Sequence, residues 1–146
     1  MRIPTRCPDA FARLQGTAPG LQGLIRFWQQ PGSVLIEASV RGLPETETGF
    51  FAFHIHESAT GGHYDPAGLP HPRHAGDLPP LLACGGGAYL AVQTCRFRLD
   101  EILGRTAVVH AGFDDFRTQP TGNPGPKIAQ GTILPRPGLN GSINSR

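Results

Sequence analysis

Apolar residues fall into short runs along the chain, with no long periodic stretch among them. Phe11–Gln15, Leu24–Trp28, Val34–Val40, Phe50–His56, Ala88–Phe97 and Thr106–His110 are the main runs, most of them enriched in Val, Ile, Phe or Thr and bounded by Gly, Pro or polar clusters. Runs of this length and make-up predict strands. Twenty glycines and fifteen prolines interrupt the sequence so often that a helix of three turns has few places to form. Pro31-Gly32 predicts a turn between the second and third strands, and Gly85-Gly86-Gly87 another before the long strand that ends at Phe97. Short strands separated by regular turn signals predict an all-β sandwich or barrel.

Two segments break the rhythm. Ser58–Pro80 and Ala111–Lys127 are rich in Gly, Pro, His and Asp, and loops this long are either functional or disordered. Their histidines favour function: His63, His71 and His74 lie in the first, and His110 closes the strand leading into the second. The end of the chain, Pro135–Arg146, has little to bury and predicts a frayed or surface-draped tail. With neither repeat nor linker, the 146 residues predict one domain, its core spanning positions 10–134 and its tail 135–146.

Composition narrows the partners. A formal charge of +2, with no run of Lys and Arg, predicts no nucleic-acid partner. No apolar stretch is long enough to span a bilayer as a helix, so no membrane association is expected. The segment Met1–Pro8 carries positive charge but no apolar signal core, which predicts a cytoplasmic location, with export the alternative if the N-terminus has been trimmed. Cys7, Cys84 and Cys95 form an odd set without C-x-x-C spacing, which predicts unpaired thiols in a reducing compartment.

All six histidines fall in a few places, and their spacing suggests metal chemistry. His54 and His56 are two apart in a predicted strand and therefore share a face, where paired imidazoles suit copper, zinc, iron or nickel. In the first loop His71, His74 and Asp77 are each three apart, and with His63 they supply three imidazoles and a carboxylate, a tetrahedral zinc set with no open position. A closed site of this kind would order a Pro- and Gly-rich loop against its backbone entropy. His110 adds a further ligand, and Asp114 is close enough to hydrogen-bond a ligand histidine from outside.

The residues Gly49-Phe50-Phe51-Ala52-Phe53-His54-Ile55-His56-Glu57, Gly62-His63-Tyr64-Asp65-Pro66, His74-Ala75-Gly76-Asp77-Leu78-Pro79, Gly104-Arg105-Thr106-Ala107-Val108-Val109-His110 and Thr121-Gly122-Asn123-Pro124-Gly125 carry a resemblance. In content and order they are similar to the copper/zinc superoxide dismutase family, specifically its bacterial branch, across most of Leu21–Ile133. The resemblance implies a Greek-key β-sandwich or flattened barrel of about eight antiparallel strands with two long functional loops. It implies copper on His54, His56, His63 and His110, and zinc on His63, His71, His74 and Asp77, with His63 bridging and Asp114 linking the two ligand sets. The implied reaction converts superoxide to dioxygen and hydrogen peroxide as copper cycles between Cu(II) and Cu(I), with zinc structural and His63 relaying a proton.

Departures from the family pattern set further expectations. Lys127 stands where most members carry the arginine that attracts superoxide; it keeps the charge and loses the planar fork. Both cysteines of the family disulfide are missing: Ser58-Ala59-Thr60-Gly61 and Gln130 occupy their places. That shortened loop contributes to the dimer interface in many relatives, which leaves a homodimer as one assembly the resemblance allows. Pro72 and the short His71-to-His74 spacing put the reach of His71 in question. The alternative reading is a non-catalytic superoxide dismutase-like copper/zinc-binding protein, a copper carrier; the complete copper set favours the enzyme.

Overall fold

The computed structural model describes residues 1–138; of the expected tail, 139–146 lie outside the described residues. Among the described residues the chain forms strands β1 (Ala10–Gly16), β2 (Gln22–Gln30), β3 (Ser33–Arg41), β4 (Phe50–Phe51), β5 (Phe53–His56), β6 (Leu81–Cys84) and β7 (Gly87–Thr94). A one-turn helix α1 (Leu99–Ile102) then precedes β8 (Thr106–His110) and β9 (Lys127–Pro135). None of the described helices is long and apolar enough to cross a membrane.

The strands pair antiparallel in the order β4-β6-β7-β3-β2-β1-β9-β8-β5. The two ends of that order, β4 and β5, are consecutive in the chain and separated only by Ala52. Ala52 donates its N–H to Gly112 O at 2.8 Å and accepts from His110 N at 2.9 Å. One run, Phe50–His56, thus lies on β6 with its first half and on β8 with its second, which curls the sheet into a flattened barrel. β3 neighbours β7, and β1 neighbours β9, so long connections cross between non-consecutive strands in the Greek-key manner.

Several sequence expectations are corrected here. Phe50–His56 divides at Ala52 because its two halves serve different neighbours. The long strand stops at Thr94, and Phe97 turns into the core just ahead of α1, so it is not a strand end. β6 and β9 have no counterpart in the apolar runs read from sequence: Pro79-Pro80 precedes the four-residue β6, and Gln130-Gly131 interrupts β9. Lys127 opens β9 opposite His110, so it belongs to a strand and not to the second loop. The Gly85-Gly86 turn forms as expected, with both residues at positive φ, a conformation matched to a tight hairpin.

Alternation along the strands builds the core and, by the same rule, places the site. Ile25 and Phe27 of β2, Val34, Ile36 and Ala38 of β3, Phe53 and Ile55 of β5, Ala107 and Val109 of β8 and Ile133 of β9 share one buried cluster. Their neighbours His54 and His56 must therefore point the other way. The Ser58–Pro80 loop covers that outer face. Tyr64 N donates to Ile55 O, Ile55 N to Gly76 O and Gly76 N to Tyr64 O, each at 2.8 Å, stitching the loop to β5 and burying both histidines.

Candidate metal centre

β5, the first loop and the end of β8 bring His54, His56, His63 and His110 together, with one ring nitrogen of each within 4.8 Å of the others. His56 Nδ1 donates to Gly61 O at 2.8 Å, and His110 Nδ1 donates to Gly125 O at 2.9 Å. Burial, reinforced by neighbouring histidines and Lys127, pushes His56 down to about 3 and His110 to about 4, so both rings are neutral at pH 7. Each has spent its single proton on a carbonyl. Their Nε2 atoms then face each other at 3.3 Å as two lone pairs with no proton between them. His54 Nε2 is engaged by Asp114 Oδ2 at 2.8 Å, while His54 Nδ1 and His63 Nε2 are buried with no hydrogen-bond partner. Burial also lowers the pKa of His54, against the pull of Asp114. Buried lone pairs that converge without a donor are costly unless a cation satisfies them, so this donor set fits a transition metal.

The second cluster joins His63, His71, His74 and Asp77, again with ligand atoms within 4.8 Å of one another. His63 Nδ1 lies 2.7 Å from Asp77 Oδ1 and 3.1 Å from His74 Nδ1, and His71 Nδ1 lies 3.0 Å from Asp77 Oδ2. His71 reaches the cluster despite the short spacing. Burial tends to raise the Asp77 carboxyl, but its bond to His63 and the charges of the three histidines outweigh that and lower it. Three imidazole nitrogens and one carboxylate oxygen are a closed zinc-type set. His63 presents Nε2 to the first cluster and Nδ1 to the second, so its ring is common to both.

Asp114 ties the clusters together from outside. Its Oδ2 accepts from His54 Nε2 and its Oδ1 from His71 Nε2, both at 2.8 Å, and Phe116 N also donates to Oδ1 at 2.8 Å. Burial works to raise this carboxyl, but the bonds from His54, His71 and Phe116 hold it well below the usual carboxylate range. Gly122, at φ +81°, packs directly on this bridge: a Cβ there would overlap the Asp114 carboxylate and crowd the His71 ring. Lys127 Nζ donates to Ala59 O at 2.7 Å, and its charge helps lower both His56 and His110, which places it on the side of the four-histidine cluster. The Gly61 and Gly125 carbonyls and the close approach of Gly122 were not anticipated from sequence, since main-chain acceptors leave no residue-type signal.

Residues 21–133, well over half of the chain, match the family described as Copper/zinc superoxide dismutase (SODC). The chain belongs to the copper/zinc superoxide dismutase family. It is 37% identical over 118 residues to rat (Rattus norvegicus) Extracellular superoxide dismutase (Cu-Zn), covering 71% of this chain and 48% of that protein. It is 34% identical over 137 residues to Xenopus laevis Superoxide dismutase (Cu-Zn) A, covering 77% and 89%. It is also 31% identical over 152 residues to the mouse (Mus musculus) Copper chaperone for superoxide dismutase, covering 89% and 54%. The chain spans about half the length of the rat and mouse relatives. All three are animal proteins, so the bacterial branch expected from the motifs gains no support. Copper and zinc are the cofactors of this copper/zinc superoxide dismutase family member, and the two clusters have the donors for both.

The depressed histidines make a pH prediction for this superoxide dismutase family member in its metal-free form. In the unfolded chain His56 and His110 take up protons below pH 6.5, whereas in the fold they resist until about 3 and about 4. Their protonation therefore costs the fold nothing above pH 6.5, and stability falls progressively as pH drops from 6.5 toward about 4 and about 3, where the loss levels off. Denaturant unfolding of metal-free protein should show a lower midpoint at pH 4.5 than at pH 7.5. An equal or higher midpoint at the acidic pH would contradict the neutral, converging imidazoles described above.

Proposed function

We propose that this chain disproportionates superoxide, converting two superoxide radicals and two protons to dioxygen and hydrogen peroxide. His54, His56, His63 and His110 hold copper in this reading; His63, His71, His74 and Asp77 hold zinc, and Asp114 fixes both ligand sets. The observation that carries it is the complete four-histidine cluster, with its converging unprotonated nitrogens. Copper, when bound, supplies the one-electron chemistry by alternating between Cu(II) and Cu(I). The chain's own part is to keep His54 oriented through Asp114 and to present His63 Nε2, which has no hydrogen-bond partner, as the atom that would take up a proton and pass it to peroxide. Lys127 supplies the positive charge that draws the anion in.

The mouse copper chaperone among the relatives supports a second reading, a non-catalytic copper carrier. Pulse-radiolysis rates of protein reconstituted with copper and zinc separate the two. A copper-dependent rate that persists when EDTA silences free copper supports the enzyme; no rate, or one that EDTA abolishes, supports the carrier. Lys127→Ala should lower the rate by roughly tenfold at low salt and flatten its ionic-strength dependence. An unchanged salt profile would remove Lys127 from the mechanism. A cytoplasmic setting is supported by Cys7, Cys84 and Cys95, all exposed and unpaired, while the extracellular relatives support export instead.

A further inference from the structure

From outside the first loop, Gln119 and Arg96 grip the main chain of its His71–His74 segment and touch no ligand atom. The carboxamide of Gln119, in the second loop, meets both polar groups of one residue: His71 N donates to Gln119 Oε1 at 2.9 Å, and Gln119 Nε2 donates to His71 O at 2.7 Å. That is how a neighbouring strand would hold a residue, and it fixes the peptide planes on either side of the His71 Cα. Arg96, just past the end of β7, donates through Nη1 to Pro72 O at 2.9 Å and to His74 O at 3.1 Å. The gripped segment, His71-Pro72-Arg73-His74, is the one that must aim two rings at a single point.

The two histidines need this support for different reasons. His71 has its ring fixed from behind by Asp114, so only its backbone remains to be placed. His74 has no such partner within hydrogen-bond reach on Nε2, where Asp65 Oδ2 stands 3.9 Å away, so its ring direction depends on where its main chain sits. We infer that Gln119 and Arg96 are positioning residues for the zinc ligands. They set the backbone of 71–74 so that the Nδ1 atoms converge on Asp77 before any ion arrives. Preorganisation of this kind removes an ordering cost from binding and ties the loop that carries Asp114 to the loop that carries His71.

The inference rests on the zinc assignment proposed above, and its test separates the two. Zinc alone is titrated against a chromophoric chelator into wild-type, Gln119→Ala and Arg96→Ala protein, and cobalt(II) is used in parallel to report ligand geometry through its visible bands. Each variant should bind zinc about tenfold more weakly, release it faster and show shifted cobalt bands. Wild-type affinity and wild-type bands in both variants would overturn the inference. So would weaker affinity with unchanged bands, because the side chains would then not act through ligand geometry. Wild-type protein that takes up no zinc would overturn the zinc assignment along with it.

Discussion

His110→Ala protein reconstituted with copper and zinc is expected to lose copper-dependent superoxide dismutation while still taking up zinc. His110 enters only the four-histidine cluster; the second cluster is built from His63, His71, His74 and Asp77 and is left intact. Loss of a group that merely orients a ligand costs about 10–100-fold in metal affinity. Loss of a direct donor should therefore exceed the upper figure for copper. The change also strands the Gly125 carbonyl, at about 1 kcal/mol of stability. Metal analysis after dialysis, read beside the pulse-radiolysis rate, checks both halves. A variant that keeps a rate within twofold of wild type would sink the assignment of His110.

Asp114→Ala should damage both clusters at once. The carboxylate is the shared acceptor for His54 Nε2 and His71 Nε2, and each of these buried nitrogens would lose its only partner. A buried polar group left unpaired costs about 1–3 kcal/mol, so with two of them the metal-free protein should lose roughly 2–6 kcal/mol. Both imidazoles would also become free to turn or change tautomer, and affinity for each metal should fall about 10–100-fold. Gly122→Ala offers an independent route to the same defect, since its Cβ would push the carboxylate aside without altering its chemistry. Chemical denaturation and metal competition measure the two losses. If Asp114→Ala weakened only one metal, the linking role would be refuted.

How much of this was legible in the sequence depended on which kind of contact carried it. The pair His54 and His56 could be read because a strand alternates, and the same alternation sends Phe53 and Ile55 into the core. The zinc-type set was legible as a spacing of residue types, but the choice of ring atom in the four-histidine cluster was not: Nδ1 faces that cluster from His54, whereas Nε2 does so from His56 and His110. That choice depends on what lies behind each ring, a carboxylate for His54 and a carbonyl for the others. The grip of Gln119 on His71 joins positions 48 apart through main-chain atoms, so no local pattern encodes it. β9 was missed because Gln130-Gly131 blurs its apolar pattern, and its burial comes from lying between β1 and β8.

The run Phe50–His56 is at once the seam that closes the barrel and the carrier of two histidines. Both histidines leave that seam on its outer face, beneath the Ser58–Pro80 loop, so a bound ion can leave by loop opening while β5 stays paired with β8. The spacing of the pair is as durable as the barrel itself: to lose it one strand must unzip, on the slow timescale of native-state unfolding.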